Sequence, residues 1–245
     1  MKKKLIPKTI KVKSLRESQI DEMFKLFEIF YDNVSFERFK KDLLNKSKVI
    51  ILLDVESKIQ GFSTFYDFDF EHDKKLIRVL YSGDTIIAPD YWGTSALTLE
   101  FLKNMILLKM RYPTRPVWWF LISKGYKTYL LLANNFLRYY PRFDQSTPNE
   151  HRTLIKGLSD KFYPGKFNPE TGVIEFEVNE HERLKESIAP ITKELSDKYP
   201  KIKFFSEKNP GWKKGDELAC IGEVDPLLSI VHPLKLLKKV LRIKK

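Results

Sequence analysis

Apolar residues recur every three or four positions in "RESQIDEMFKLFEIFYDN", at Ile20, Met23, Phe24, Phe27 and Phe30, and this spacing predicts an amphipathic helix. Before it, "KTIKVKSL" alternates and predicts a strand over 9–15. Ser35, with Arg38 three positions on, predicts a capped short helix running to Leu44. "KVIILLDVESKIQGFSTFYDF" reads as a hairpin of strands 48–54 and 59–67 across a polar turn. A further strand follows over 74–88, with a bulge expected at Gly83. Then "IIAPDYWGTSALTLEFLKNM", residues 86–105, passes from buried strand through a Pro-Asp turn and one glycine into a helix carrying Leu97, Leu99, Phe101, Leu102 and Met105.

The run "PVWWFLIS", 116–123, is wholly apolar and predicts a strand buried on both faces. Residues 126–140 read as a helix stopped by Pro141. Beyond Asp144 the pattern loosens. There the sequence predicts a strand over 172–178, a helix over 180–199 kinked at Pro190, and strands in "KIKFFSE" and "DELACIGEV". The order implies a mixed α/β (α+β) fold: a central, largely antiparallel sheet with hairpins and one strand-helix-strand crossover, flanked by helices.

Composition narrows the function. Of 245 residues, 42% are apolar and 13% aromatic, enough for a substantial core. Cys220 is the only cysteine, which excludes a disulfide framework and a multi-cysteine zinc site and fits a reducing, cytoplasmic setting. A basic start with no apolar segment behind it argues against a secretory signal. The net charge of +12 suggests nucleic acid until it is located. Residues 1–16 hold seven Lys or Arg and residues 226–245 hold six, neither with an acid; removing those 13 from 44 leaves 31 basic against 32 acidic residues. A balanced body lacks the basic stripe that nucleic-acid binding requires. Wound as a helix, 233–245 places its leucines opposite its lysines, which suits either packing on the body or peripheral contact with an anionic membrane. The four histidines are scattered without ligand spacing, so no metal is expected.

Three stretches carry a likeness. "DVESKIQGFSTF", "DTIIAPDYWG" and "NNFLRYYPRF", in that order, resemble the hairpin, the fourth strand with its loop, and the helix-end motif of the GNAT acyltransferase superfamily over roughly 9–145. The resemblance divides the chain into a core, 1–145, and an extension, 146–245, that completes the sheet and holds the specificity determinants. It implies transfer of an acetyl or longer acyl group from acyl-CoA to a small-molecule or peptide amine, without a metal.

In that family the loop after the fourth strand binds the cofactor pyrophosphate through backbone amides, which the resemblance carries onto Trp92, Gly93, Thr94, Ser95 and Ala96, with Ile87 near the thioester carbonyl. All three signature positions depart here: Trp92 replaces Arg/Gln, Ser95 a glycine and Leu97 a small residue. The alternatives are therefore a binding module that has lost turnover, or a membrane-surface protein using its basic ends. The resemblance further implies Tyr140 as general acid, with Tyr139 beside it, and Asp84 is the best-placed carboxylate for a base. Trp118, Trp119 and the aromatic stretch 65–70 stand either as pocket lining or as core.

Overall fold

The computed structural model describes residues 4–177 and 180–225. Its first half runs β1 (Ile6–Lys11), α1 (Glu17–Phe30), β2 (Tyr31–Asp32), α2 (Phe36–Leu44), β3 (Lys48–Leu53), β4 (Ile59–His72), β5 (Lys75–Ile87), α3 (Ala96–Arg111), β6 (Val117–Ser123) and α4 (Tyr126–Asn135). The second half runs β7 (Tyr139–Tyr140), α5 (Asn149–Phe162), β8 (Phe167–Asn168), β9 (Val173–Ile174), β10 (Arg183–Leu184), α6 (Lys193–Lys198), α7 (Pro200–Lys208) and β11 (Glu217–Glu223).

One nine-stranded sheet has the order β1-β3-β4-β5-β6-β11-β9-β8, with β7 added against β11; β2 and β10 form a separate pair. Among the described residues, β5 and β6 are the one parallel pair, joined by the α3 crossover, and the others are antiparallel. The mixed, mostly antiparallel sheet flanked by helices is the fold class the sequence led us to expect. The second half of the chain reaches the middle of the sheet through β11, which pairs with β6 from Leu218–Ser123 to Glu223–Trp118.

Alternation fixes the two faces. In β3, Ile50 and Leu52 join the cluster under α3 and α4, whereas Val49 and Ile51 join the one under α1 and α2. In β6, Val117, Trp119 and Leu121 face α3 and α4, while Trp118 and Phe120 face α5. An uninterrupted apolar run is what a strand covered on both faces requires. The Ser35 cap forms as expected, its Oγ accepting from the Arg38 amide at 3.2 Å.

Five expectations are corrected. The first strand occupies 6–11, and 12–14 turns instead. The helix expected over 126–140 ends at Asn135, and Tyr139–Tyr140 becomes a strand pairing with Ile221 and Gly222. The kinked helix over 180–199 is helical only from Lys193; ahead of it lies β10, and Ala189 takes a left-handed φ of 52° before Pro190, a step no helix accommodates. "KIKFFSE" is helix α7, not a strand: Pro200 opens it, and Ile202 and Phe205, three apart, bury one face in the core. Of the strand expected over 172–178, the described residues 172–177 are regular only at Val173–Ile174. No helix among the described residues is long and apolar enough to cross a membrane. The amphipathic segment 233–245 lies outside the described residues.

Candidate active site at the divergence of two strands

The site begins with a miscount. Ser82 pairs with Phe65 and Thr85 with Ser63, so Gly83 and Asp84 on β5 oppose Thr64 alone on β4. Such a bulge bends its strand and re-aims one side chain. Glycine fits closely there: a Cβ at Gly83 would lie 2.7 Å from Thr64 Oγ1 and 2.9 Å from Lys46 Cε, so either side chain would have to shift. Past the bulge β5 leaves β6; the parallel ladder starts at Arg78–Val117 and stops at Ser82–Leu121, before either strand ends. Between the diverging ends opens a cavity of about 570 Å³, where the three apolar clusters meet.

Asp84 lines this cavity, and among the described residues it has no hydrogen-bond or ion-pair partner. Burial and the nearby Asp42 carboxylate raise its pKa to about 7, with Lys124 opposing them. Its surroundings contrast with it. Lys124, the first residue beyond β6, has a side chain only 10% exposed and donates to Glu182 at 2.6 Å, with Glu217 at 3.5 Å. Burial alone would lower the Lys124 pKa, but the Glu217 and Glu182 carboxylates outweigh it and hold it above the usual range. Burial would likewise raise Glu182, yet Lys124 and His181 hold it at about 2. His181 closes the net, its Nδ1 3.1 Å from Glu182 and its Nε2 3.0 Å from Glu217. Asp42 is held by Lys46 at 2.7 Å. The Tyr81 and Tyr163 hydroxyls meet at 3.2 Å, and burial holds both phenols well above their ordinary range.

The opposite end of the cavity is formed by the loop leading into α3. Gly93 has a left-handed φ of 81° with open space where a side chain would stand. Two of the expected loop groups satisfy each other, Thr94 Oγ1 accepting from the Ala96 amide at 3.2 Å. The Thr94 amide donates to the Tyr91 carbonyl at 3.3 Å. By contrast the amides of Gly93, Leu97 and Thr98, whose residues line the cavity, have no partner among the described residues; Leu97 and Thr98 lie in the first turn of α3, which leaves its amides unshared, and Gly93 in the loop before it. The first turn of α3 carries no acid. Lys127 stands 3.2 Å over the Trp92 ring without a carboxylate partner among the described residues, and burial lowers its pKa. The Trp92 side chain turns back along β5, its Nε1 donating to the Ile87 carbonyl at 2.7 Å.

Of the residues singled out from sequence, the structure brings Asp84, Ile87, Trp92 and Gly93 to this cavity, while Thr94, Ser95 and Ala96 do not line it. Tyr140 is not brought there. Because the helix ends early, β7 carries it to β11, where its ring lies 4.3 Å from His151 in a separate, smaller cavity with Trp118. Tyr139 is buried in the core, with the Arg142 guanidinium 4.9 Å over its ring. Trp119 is core as well, donating to Ser82 Oγ at 2.8 Å. Cys220 is fully buried, which pushes its thiol up and leaves it inert.

Sequence reading missed Lys124, Lys127, Tyr163, His181, Glu182 and Glu217. Two left a trace: Lys124 ends a wholly apolar strand, and Glu217 opens another while 2% exposed. A charge inside a buried run needs a partner, and that need was the available signal.

Neither a protein-family model nor a curated protein sequence matches the chain. Solved structures do resemble it. One is a probable N-acyltransferase from Enterococcus faecalis, 18% identical over 52% of this chain and 32% of that one, with a TM-score of 0.39. This chain thus spans about a third of that protein's length. A GNAT family N-acetyltransferase from Escherichia coli, in complex with CoA, is 11% identical over 54% of this chain and 71% of its own, with a TM-score of 0.39. NAA60 of Arabidopsis thaliana, with a bisubstrate analogue, is 12% identical over 56% and 87%, also with a TM-score of 0.39. GNAT N-acetyltransferases therefore recur among the solved structures that this chain resembles.

Proposed function

We propose that the protein is an N-acyltransferase that takes an acyl group from acyl-CoA and places it on an amine. The observation that carries this reading is the lone, raised carboxylate of Asp84 set where β5 parts from β6, at the wall of a cavity open to both a loop of free amides and an apolar chamber. An amine arrives as an ammonium ion and must lose a proton before it can attack. A carboxylate with a pKa of about 7 accepts that proton near neutral pH, where an ordinary aspartate is too weak a base.

The donor set fits a phosphate-bearing cosubstrate. Gly93, Leu97 and Thr98 offer unshared amides at a helix start, Lys127 adds a cation without a counter-ion, and no acid opposes them. When bound, acyl-CoA supplies an acyl group activated as a thioester. Asp84 takes one ammonium proton before attack and returns it to the departing sulfur as the carbon–sulfur bond breaks; the carboxylate so regenerated then takes the second proton from the newly acylated nitrogen and passes it to solvent. This division of labour needs no tyrosine at the end of α4, which suits the position of Tyr140 outside the cavity. The Lys124–Glu182–His181–Glu217 net ties together the wall beside Asp84.

The test is direct: thermal stability with and without CoA and acetyl-CoA, then thiol release with an amine panel. A stabilising shift with thiol release is expected. One observation favours a binding module without turnover, namely the Trp92 indole bonded to the Ile87 carbonyl across the end of β5. A shift with CoA but no thiol release from any amine would select that reading.

A further inference from the structure

Four carboxylates line the cavity, and their pairing identifies what the chamber can hold. Asp42 is paired with Lys46 at 2.7 Å. Glu182 and Glu217 are both taken by Lys124 and His181, at 2.6 to 3.5 Å. Among the described residues, only Asp84 is left for a cation that comes from outside. Much of the remaining wall is aromatic, Phe27, Phe30, Tyr31, Phe39 and Tyr163, with Ser35 and the Arg38 cation set among them. Tyr31 and Tyr81 stand close enough to Asp84 to feel its charge, so the lone carboxylate and the aromatic wall belong to one chamber. On a third side, residues of the 181–189 segment close the wall, held there by β10 pairing with β2 and by the Lys185 amide bonding the Phe30 carbonyl at 2.9 Å.

We infer that the acceptor is an apolar monoamine, a primary amine on an aryl-alkyl or branched alkyl body, rather than a polyamine, an amino sugar or a peptide. The inference rests on the acyltransferase reading above and specifies its acceptor. One carboxylate offers one ammonium its counter-ion, and aromatic faces and aliphatic walls receive the rest. A polyamine would bring a second cation with no free carboxylate to meet it. An amino sugar would set several hydroxyls against ring faces, with the Tyr31 and Tyr163 phenols the few groups of that wall able to bond them. A peptide would bring backbone amides and carbonyls in behind its terminal ammonium, and the aromatic wall offers them few partners.

The experiment uses the full chain with four probes: 2-phenylethylamine, its uncharged analogue 2-phenylethanol, spermidine and a short peptide with a free N-terminus. Binding is measured calorimetrically without cosubstrate, and acylation with acetyl-CoA by thiol release. We expect 2-phenylethylamine to bind at least tenfold tighter than 2-phenylethanol and spermidine, and to be acylated with a kcat/KM at least tenfold above spermidine and the peptide. In Asp84→Asn the preference for the amine over the alcohol should vanish; the wild-type comparison of these two probes tests the same point should that variant not fold. Tighter binding or faster acylation of spermidine or the peptide overturns the inference and leaves the acyltransferase reading standing. Equal binding of the amine and the alcohol overturns it as well. Charge-dependent binding of 2-phenylethylamine with no thiol release supports the amine chamber and removes the transferase reading instead.

Discussion

The β4–β5 hairpin carries two aspartates in opposite circumstances. Asp67 accepts from the Arg78 guanidinium, with Nε at 2.9 Å, and the same guanidinium reaches Asp69 at 3.1 Å. Arg115 joins Asp69 at 3.1 Å, and the Tyr112 ring lies 4.9 Å beneath Arg78. Asp84, seventeen residues along, has no such partner and faces a cavity. Charge-assisted, forked bonds make the first end a clasp that holds the sheet where β5 still pairs on both sides. The second end is left unclasped. A carboxylate that folding leaves unpaired, at a cost in stability, is available for chemistry, and one that folding has satisfied is not.

The sharpest way to break this contrast is Asp84→Asn. It should lower kcat/KM by about 10²- to 10⁴-fold, the usual worth of a positioned base. In the wild type, kcat/KM should climb with pH through about 7 as Asp84 ionises, and this limb should be missing from the variant. Stability should move the other way. Because its pKa is raised on folding, the native state holds the proton more tightly than the unfolded chain, so stability present below pH 4 is lost as pH climbs through about 7. The Asn variant should therefore gain on the wild type at pH 8 in denaturant titrations. A variant with full activity, or one less stable at pH 8, would end the assignment.

Arg78→Ala attacks the other end. Losing several charge-assisted bonds at a largely buried site should cost about 2 kcal/mol and lower Tm, with the pH limb of activity unmoved. A shifted limb would show that the two ends are not separate. Gly83→Ala should cost about 1 to 2 kcal/mol, since the added methyl meets Thr64 and the flexible Lys46 side chain. Its value is diagnostic: the bulge aims Asp84, so activity should fall further than stability explains. The smallest effect is expected from Tyr140→Phe, under twofold in turnover by thiol release, because Tyr140 faces His151 in the other cavity. A large loss there would return the tyrosine to the mechanism.

The hairpin, the Gly83 bulge, the Ser35 cap and the doubly buried β6 were legible because each rests on local signals that tertiary contacts reinforce. The segment after Asp144 was less so. Its helix α5 has an apolar face of only Leu154, Ile155 and Leu158, interrupted by Gly157, which packs against Phe70. "KIKFFSE" fits either period over so short a run, and packing of Phe205 decided for helix. In the site, Asp84 was legible because it adjoins the bulge that aims it. The ion net was not. Lys124, His181, Glu182 and Glu217 come from three segments up to 93 positions apart in the chain, and only the sheet order, with β11 beside β6, brings them together.

The Trp92 indole has a consequence for kinetics. Its N–H holds the Ile87 carbonyl, a backbone acceptor at the parting of the strands, while its ring lies 6.5 Å from Phe30 and under Lys127. The folded chain thus carries its own competitor for the end of β5. An extended ligand that needs the lone pair the indole occupies competes with it, and its apparent affinity is then discounted by the fraction of molecules in which the indole has left. Association should then level off with rising ligand concentration, and the change in indole surroundings would report each opening as a change in tryptophan emission.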